Sequence, residues 1–443
     1  MKPFRYAIAF LFVATTAFAQ DTARMEQVIQ IQVQNRTFMG AVLVAKGDTV
    51  LLSKGYGSAN LEWDLPNTPA TKFRLGSITK QFTAASILIL EERGKLSTSD
   101  PIKKHMPDAP AAWDAITLHH LLTHTSGIPN FTALKEFATL KGTATTVDKS
   151  IALFRDKPLD FPVGERMSYS NSGYLVLGYV IEKVTGGSYE AFVQANIFTP
   201  LGMTDSGYDS NTRLIARRAA GYMPGPGSFV NADYAHMSVP HAAGALYSTT
   251  GDLLKWERAL LGGKLLSAAS LQKMLTPDKN NYAYGLAVPT TNGRRVVAHN
   301  GGIEGFNTNM AHYPDSGFTV IVLGNVNGGA PDLLATQLAG IAHGDAVPLP
   351  TVHKEIPLPA AAASYAGVYQ LTPAVTLTII HTGNQMFVQL TGQGPIEIFA
   401  ESETAFFLKA VDAQLTFGGQ GGAITHVVLH QNGRDQKATR RQP

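Results

Sequence analysis

The 443-residue chain sets 36 lysines and arginines against 33 acidic residues, a formal charge of +3, and it has 44% apolar residues, 16% charged residues and no cysteine. That length exceeds one ordinary domain, and the apolar fraction excludes wholesale disorder. The missing cysteines exclude disulfides, iron–sulfur clusters, zinc–thiolate centres and cysteine nucleophiles, and a charge near zero leaves no electrostatic footprint for nucleic acid.

Lys2 and Arg5 precede the apolar run Tyr6 to Val13, and small residues follow, ending Ala17-Phe18-Ala19. A basic start, a short apolar core and an Ala-x-Ala end read as a secretory signal over residues 1–19; the run is too short to span a bilayer, which takes about 20 residues. No later apolar run is long enough either, so the expectation is an exported chain, periplasmic or extracellular, with no stable membrane insertion. Asp21 to Gln34 places Met25, Val28, Ile29 and Val33 on one helical face. Two extended runs follow, Gly40 to Lys46 and Thr49 to Ser53, joined by Gly47-Asp48 as a hairpin. Ile78 to Arg93 is a strong helix stopped by Gly94. Ser172 to about Val184 reads as a buried helix closed by Gly186-Gly187, with internal Gly173 and Gly178 against it.

Arg295 to His299, Phe306 to Tyr313 and Phe318 to Gly324 read as a three-stranded meander, separated by Gly301-Gly302 and by Pro314 to Gly317, and Ala330 to His343 reads as helical. The early hairpin and the late meander together suggest one antiparallel sheet built from both ends of a domain spanning 20–345, with helices between. A linker over 346–363, with four prolines and an alanine run, reads as stiff and extended. Residues 364–443 alternate short β-like runs with glycine turns, the pattern of a small all-β barrel or sandwich, and the basic tail Arg434 to Pro443 reads as frayed. The fold class is therefore α+β: an antiparallel sheet flanked by helices, a helical subdomain, and a C-terminal β-domain that either covers the cleft or docks beside it.

Three short motifs carry chemistry. Ser77-x-x-Lys80 opens the strongest helix, with both side chains on one face. A serine hydroxyl needs a base within reach, and lysine serves as one only where burial lowers its pKa from about 10.4. First-turn backbone N–H groups suit developing negative charge. A second copy, Ser270-x-x-Lys273, reads as a surface helix with a solvated lysine. Tyr169-x-Asn171 lies in a polar loop leading into the buried helix. His299-x-Gly301 ends a strand and is followed by Gly302, whereas His381-x-Gly383 reads as a hairpin turn. The 13 histidines, His119-His120 included, show no metal-ligand spacing.

In this order, Ser77-x-x-Lys80, Tyr169-x-Asn171 and His299-x-Gly301 resemble the three motifs of the serine β-lactamase and penicillin-binding-protein superfamily, and most of all its class C type branch with D-aminopeptidases and family VIII carboxylesterases. Leu121 to Gly127, Tyr169 to Tyr174 and Ala243 to Ser248 fit the same pattern. The resemblance implies a serine hydrolase forming an acyl-enzyme on amides or esters, D-amino-acid peptides above all, without cofactor or metal. In it Ser77 attacks, Lys80 takes or relays the proton, and Tyr169 protonates the leaving group and helps activate water. Asn171 orients the substrate amide and holds Lys80, the N–H groups of Ser77 and Gly302 form the oxyanion hole, and His299 and Gly301 line the substrate. Lys80, together with His299 when protonated, would supply the cations that let a tyrosine act as a base. Relatives that bind a substrate carboxylate place a lysine at 299; histidine is mostly neutral above pH 7, which weakens β-lactamase and D,D-carboxypeptidase readings. Alternatives are a family VIII type esterase, a weak β-lactamase, or a non-catalytic penicillin-binding sensor. The expected partner is a small molecule or short peptide, and the oligomeric state is not legible.

Overall fold

Gly40–Lys46 is apolar at nearly every position, and such a strand must be covered on both faces. The computed structural model, which describes residues 21–225, 228–409, 411, 413–420, 423–431 and 434–441, places it at the heart of a five-stranded antiparallel sheet. The signal expected over 1–19 lies outside the described residues. With β1 as Gly40–Lys46, β2 as Thr49–Tyr56, β3 as Val297–Ile303, β4 as Phe306–Tyr313 and β5 as Phe318–Gly324, the strand order is β3-β4-β5-β1-β2. Gly40 pairs with Gly324 and Lys46 with Phe318, so the two ends of the domain share one sheet.

Period-two alternation divides β1 between two cores. Val42 and Val44 pack with Met25, Val28 and Ile29 of helix α1 (residues 21–34) and with Leu334, Leu338 and Ile341 of the later helix Ala330–Ala342. Ala41, Leu43 and Ala45 face the larger core, which holds helix α2 (Thr79–Glu92) and helix α3 (Asn171–Thr185). Every residue of α2 from Thr79 to Leu90 is buried. Its Phe82 ring stacks on Trp256 at 4.1 Å, and the Trp256 indole N–H donates to Gln81 at 2.9 Å.

The two glycines inside α3 do not interrupt it. A Cβ at Gly178 would stand 2.6 Å from both Ala242 and His241, so the missing side chain admits a neighbouring segment rather than breaking the helix. The helix ends at Gly186, whose φ of 70° only glycine adopts freely.

Two expectations are corrected. Gly301 and Gly302 do not separate strands: β3 runs through them to Ile303, and the turn falls at Glu304-Gly305. Close approach explains Gly301, where a Cβ would lie 2.0 Å from the Leu75 carbonyl oxygen. Nor is the tail frayed: Arg434–Arg440 is the last strand of a closed eight-stranded barrel that begins at Gly367–Thr372, and Tyr369 pairs with Arg440 to shut it. Closure is made by main-chain hydrogen bonds, so a polar sequence with Ala438 as its buried position suffices. The barrel has its own core, including Tyr369, Leu377, Val388, Phe406, Leu415 and Phe417. The linker ties the two units together: Asn35 donates to the Thr351 carbonyl at 2.7 Å and accepts from the His353 N–H at 2.9 Å, and the His353 ring stacks on Phe407 of the barrel at 4.3 Å.

Candidate active site

Main-chain pairing sets the position of Ser77. The short strand Phe73–Arg74 pairs with Leu246–Ser248, and the chain then turns through Gly76, φ 54°, into a single 3₁₀ turn, Gly76–Ile78, ahead of α2. A Cβ at Gly76 would lie 2.8 Å from the Gly302 nitrogen, so the turn is pressed against β3. Thr308 on β4 donates its hydroxyl to the Leu75 carbonyl at 2.8 Å and pins the same turn. These contacts bring the backbone of Ser77 and Gly302 together, the pair expected to bind an oxyanion.

Lys80 lies three residues on and is completely buried. Its Nζ is 2.9 Å from each of Ser77 Oγ, Asn171 Oδ1 and the Ala243 carbonyl oxygen. Burial holds its pKa well below the usual lysine value. A neutral amine has two N–H donors and one lone pair. Asn171 Oδ1 and the Ala243 carbonyl can only accept, so they take the two donors, and the lone pair is left for the Ser77 hydroxyl proton.

Neutral rings surround that amine. Nζ lies 4.9 Å from the centre of the Tyr169 ring and 5.4 Å from that of Tyr174. No carboxylate among the described residues is within ion-pair distance of it. Tyr169 is 36% exposed, but its hydroxyl end is desolvated beside Ser77, and this pushes its pKa above that of a free tyrosine, so it is a phenol and not a phenolate at neutral pH.

His299 departs from the expectation of an available cation. It sits in mid-strand, buried, with Nδ1 2.5 Å from the Asn300 carbonyl and Nε2 2.9 Å from the Tyr282 hydroxyl. Nδ1–H therefore donates and Nε2 accepts, which makes the ring a neutral tautomer with both nitrogens engaged. Burial first, and the neighbouring Lys80 second, push its pKa down to about 4.

A cleft of about 440 Å³ opens over Ser77. Phe131, Phe137, Met223, Val239, Pro240 and Ile303 give it apolar walls, and Asn171 and Gly302 lie within it. Its polar end holds Lys141, bridged between Asp233 at 3.0 Å and Glu304 at 3.5 Å. The lining ends in sequence at Asn327, so no described residue of the barrel contributes to it.

The structure thus brings Ser77, Lys80, Tyr169, Asn171 and Gly302 to one point, with Gly301 directly behind and His299 one contact away. The second S-x-x-K is elsewhere: Lys273, on helix Ala268–Leu275, is exposed as expected and forms an ion pair with Glu91 at 2.8 Å. His381 stands beside the barrel turn at Gly383, φ 58°. Among the described residues no group of three or more His, Asp or Glu could hold one metal ion, and no helix is long and apolar enough to cross a membrane. Four contributors to the site carried no local sequence signal as such: the Ala243 carbonyl, and the rings of His124, Tyr174 and Tyr282. Ala243, His124 and Tyr174 do lie in the three segments, Ala243 to Ser248, Leu121 to Gly127 and Tyr169 to Tyr174, that the family resemblance had singled out; Tyr282 does not.

Comparison with known proteins agrees with this geometry. The β-lactamase family model matches residues 25–343, and a domain of unknown function (DUF3471) matches 353–440. A penicillin-binding protein of Bacillus subtilis (strain 168) is 29% identical over 92% of this chain and 96% of its own length. The solved penicillin-binding protein of Bacillus halodurans is 32% identical, with a TM-score of 0.64 over 70% of this chain and 98% of that one. A D-stereospecific amidohydrolase from Streptomyces sp. is 27% identical, with a TM-score of 0.56 over 65% of this chain and 90% of that one. With the family model covering most of the chain, and a serine, a buried lysine and a tyrosine converging at the cleft, the chain belongs to the β-lactamase family of serine hydrolases.

Proposed function

We propose that this hydrolase cleaves amides of D-amino acids, or short peptides containing them, through an acyl-enzyme on Ser77. The carrying observation is Lys80: a buried amine whose N–H groups are taken by Asn171 and Ala243, with Ser77 Oγ at 2.9 Å. In this reading the Ser77 oxygen attacks the substrate carbonyl carbon as its proton passes to Lys80. The carbonyl oxygen becomes an oxyanion held by the N–H groups of Ser77 and Gly302. As the C–N bond breaks, the Tyr169 phenol gives its proton to the departing nitrogen, and the phenolate so formed takes back the proton that Lys80 received from Ser77. Water then attacks the acyl ester, loses its proton to the same lysine–tyrosine pair, and frees Ser77. Asn171 keeps Lys80 in place throughout.

The cleft supports the choice of substrate. Lys141 is committed to two carboxylates and His299 is neutral, so among the described lysines and arginines none that lines the cleft is left unpaired for a substrate carboxylate. Neutral or amine-bearing acyl groups lose nothing by this, whereas carboxylate-bearing β-lactams and C-terminal D,D-peptides do. The Streptomyces sp. relative, named for D-stereospecific amide hydrolysis, points the same way. We also propose export, on the basic, apolar and small-residue pattern of residues 1–19.

A panel of D- and L-alanine nitroanilide, a nitrophenyl ester and a chromogenic cephalosporin at fixed pH tests the assignment. D-Alanine nitroanilide should be cleaved in preference to its L-isomer and to the cephalosporin, and Ser77→Ala should abolish turnover. Preference for the cephalosporin, or turnover surviving in Ser77→Ala, would overturn it.

A further inference from the structure

His124 takes no part in the steps above, yet the chain around Tyr169 is built on it. It is 2% exposed and adopts φ 58°, a left-handed conformation uncommon for residues other than glycine, though histidine enters it more readily than most, and one that clusters at functional sites. That backbone turn directs its carbonyl and its ring at the same neighbour. The His124 carbonyl accepts from the Ser168 N–H at 2.9 Å, and its Nδ1 accepts from the Ser170 N–H at 3.2 Å. Tyr169 is the residue between. Its ring lies against the imidazole with centres 4.3 Å apart, and the imidazole also touches Tyr174 at 5.2 Å and Tyr282 at 4.7 Å.

Flanking residues extend the strap. Thr125 accepts from Gly164 N–H and Gly127 from Asp160 N–H, each at 2.8 Å, and the Tyr174 hydroxyl donates to the Leu122 carbonyl at 2.9 Å. Leu122 to Gly127 is thus a template onto which the 160–174 loop is laid by backbone hydrogen bonds. Because Nδ1 accepts, the ring proton sits on Nε2, which is buried and has no partner among the described residues. Packing alone gives no reason to bury an unpaired donor there. The Nδ1 acceptor facing Ser170 does give one.

We propose that His124 is the positioning residue for Tyr169, its carbonyl and Nδ1 clamping the chain on either side of the phenol so that the hydroxyl meets Ser77. The inference rests on the reading of Tyr169 as the proton donor to the leaving group. Displacement of a proton donor by about 1 Å costs on the order of 100-fold in rate. The clamp therefore governs steps that need the phenol's proton and not those that need Lys80 alone.

Three variants of the full-length enzyme separate the clamp from packing. His124→Phe keeps an aromatic ring and removes the acceptor. His124→Gly fits the positive φ and removes both. His124→Asn tolerates the positive φ and places Oδ1 where Nδ1 stood. Two rates are read for each: turnover of D-alanine nitroanilide, whose leaving nitrogen must be protonated, and labelling of Ser77 by a fluorophosphonate, whose fluoride leaves as an anion. In the Phe and Gly variants nitroanilide turnover should fall about 100-fold while labelling stays within about 3-fold of wild type. Asn should recover most of the loss. The proposal is overturned if both rates fall together, if neither falls, if Asn is no better than Gly, or if none of the variants folds. A wild-type enzyme that labels at Ser77 but cleaves no nitroanilide would sink the amide reading instead. The same comparison then runs on steady-state ester turnover, whose deacylation uses the same phenol.

Discussion

Lys80 and His299 show how burial decides which form of a side chain a site contains. Both are removed from water, and both lose affinity for a proton, but with different results. Lys80 gains a lone pair directed at Ser77. Replacing it with methionine keeps the volume and removes the base; kcat should fall by about 10²- to 10⁴-fold with the thermal midpoint held or raised, since a buried polar group is gone. A variant that keeps wild-type kcat would exclude Lys80 as the base. For His299 the consequence is a pH-dependent stability. The unfolded chain binds a proton near pH 6.5, the folded one only near pH 4. Between those values the unfolded state holds more protons, so stability is complete above about 6.5 and is lost as the pH falls towards 4, by at most about 3 kcal/mol. His299→Gln removes this contribution, and its unfolding free energy should fall less steeply over that window; an unchanged slope would refute the argument. At this scale Ser77, Lys80, Tyr169 and Asn171 were legible because type and spacing are local properties. That a histidine at 299 is mostly neutral above pH 7 was legible from residue type as well, but that it stays neutral well below pH 6.5 was not, because this depends on burial by distant segments.

At the scale of elements, one contact organises the site: the 3₁₀ turn Gly76–Ile78 against β3. Two adjacent glycines on β3 differ in what they permit. A Cβ at Gly301 would strike the Leu75 carbonyl at 2.0 Å and sit 3.0 Å from the Ser77 nitrogen, whereas one at Gly302 meets only the Asn307 side-chain amide at 3.3 Å. Gly301→Ala should therefore cost about 1–3 kcal/mol and lower activity by pushing the turn off the strand, while Gly302→Ala should cost well under half as much stability. Thermal melts of the two variants check the ranking, and equal losses would contradict it. The helices α2 and α3, the hairpin and the meander were readable from periodicity. The glycine pair was misread as a turn because glycine serves equally for positive φ and for close approach, and only the neighbour tells which. The polar closing strand of the barrel was missed because hydrogen bonding leaves no hydrophobic pattern.

The whole molecule is two units joined by a proline-rich segment. The barrel core is separate from the two cores that flank the sheet, and the cleft's lining stops at Asn327, before the linker begins. A chain ending at Pro350 retains the Val347 carbonyl that receives Arg24 at 2.7 Å, and with it the packing of α1. Its turnover of a small nitrophenyl ester should stay within about 3-fold of the full chain, as expected for domains with independent cores. A loss beyond tenfold in a folded truncate would assign the barrel a part in the site. The division into two units was legible from the linker's composition, but on which side the barrel docks was not, since those contacts run through Asn35, Thr351 and His353 without any pattern along the chain.

The sheet that joins both ends of the domain also imposes a schedule. β1 has one partner close by in sequence, but its other neighbour, β5, emerges only some 270 residues later. At roughly 5–20 residues per second of synthesis, that leaves the central strand half-paired for on the order of half a minute. The serine turn cannot take its shape earlier, because the strand that presses on it belongs to the same late segment. Every shortened or still-growing chain that stops before β3 therefore carries Ser77 and Lys80 without the surface that arranges them, and is chemically silent. Hydrolytic power arrives only with the closing strands of the domain, from Val297 onward, as a consequence of strand order alone.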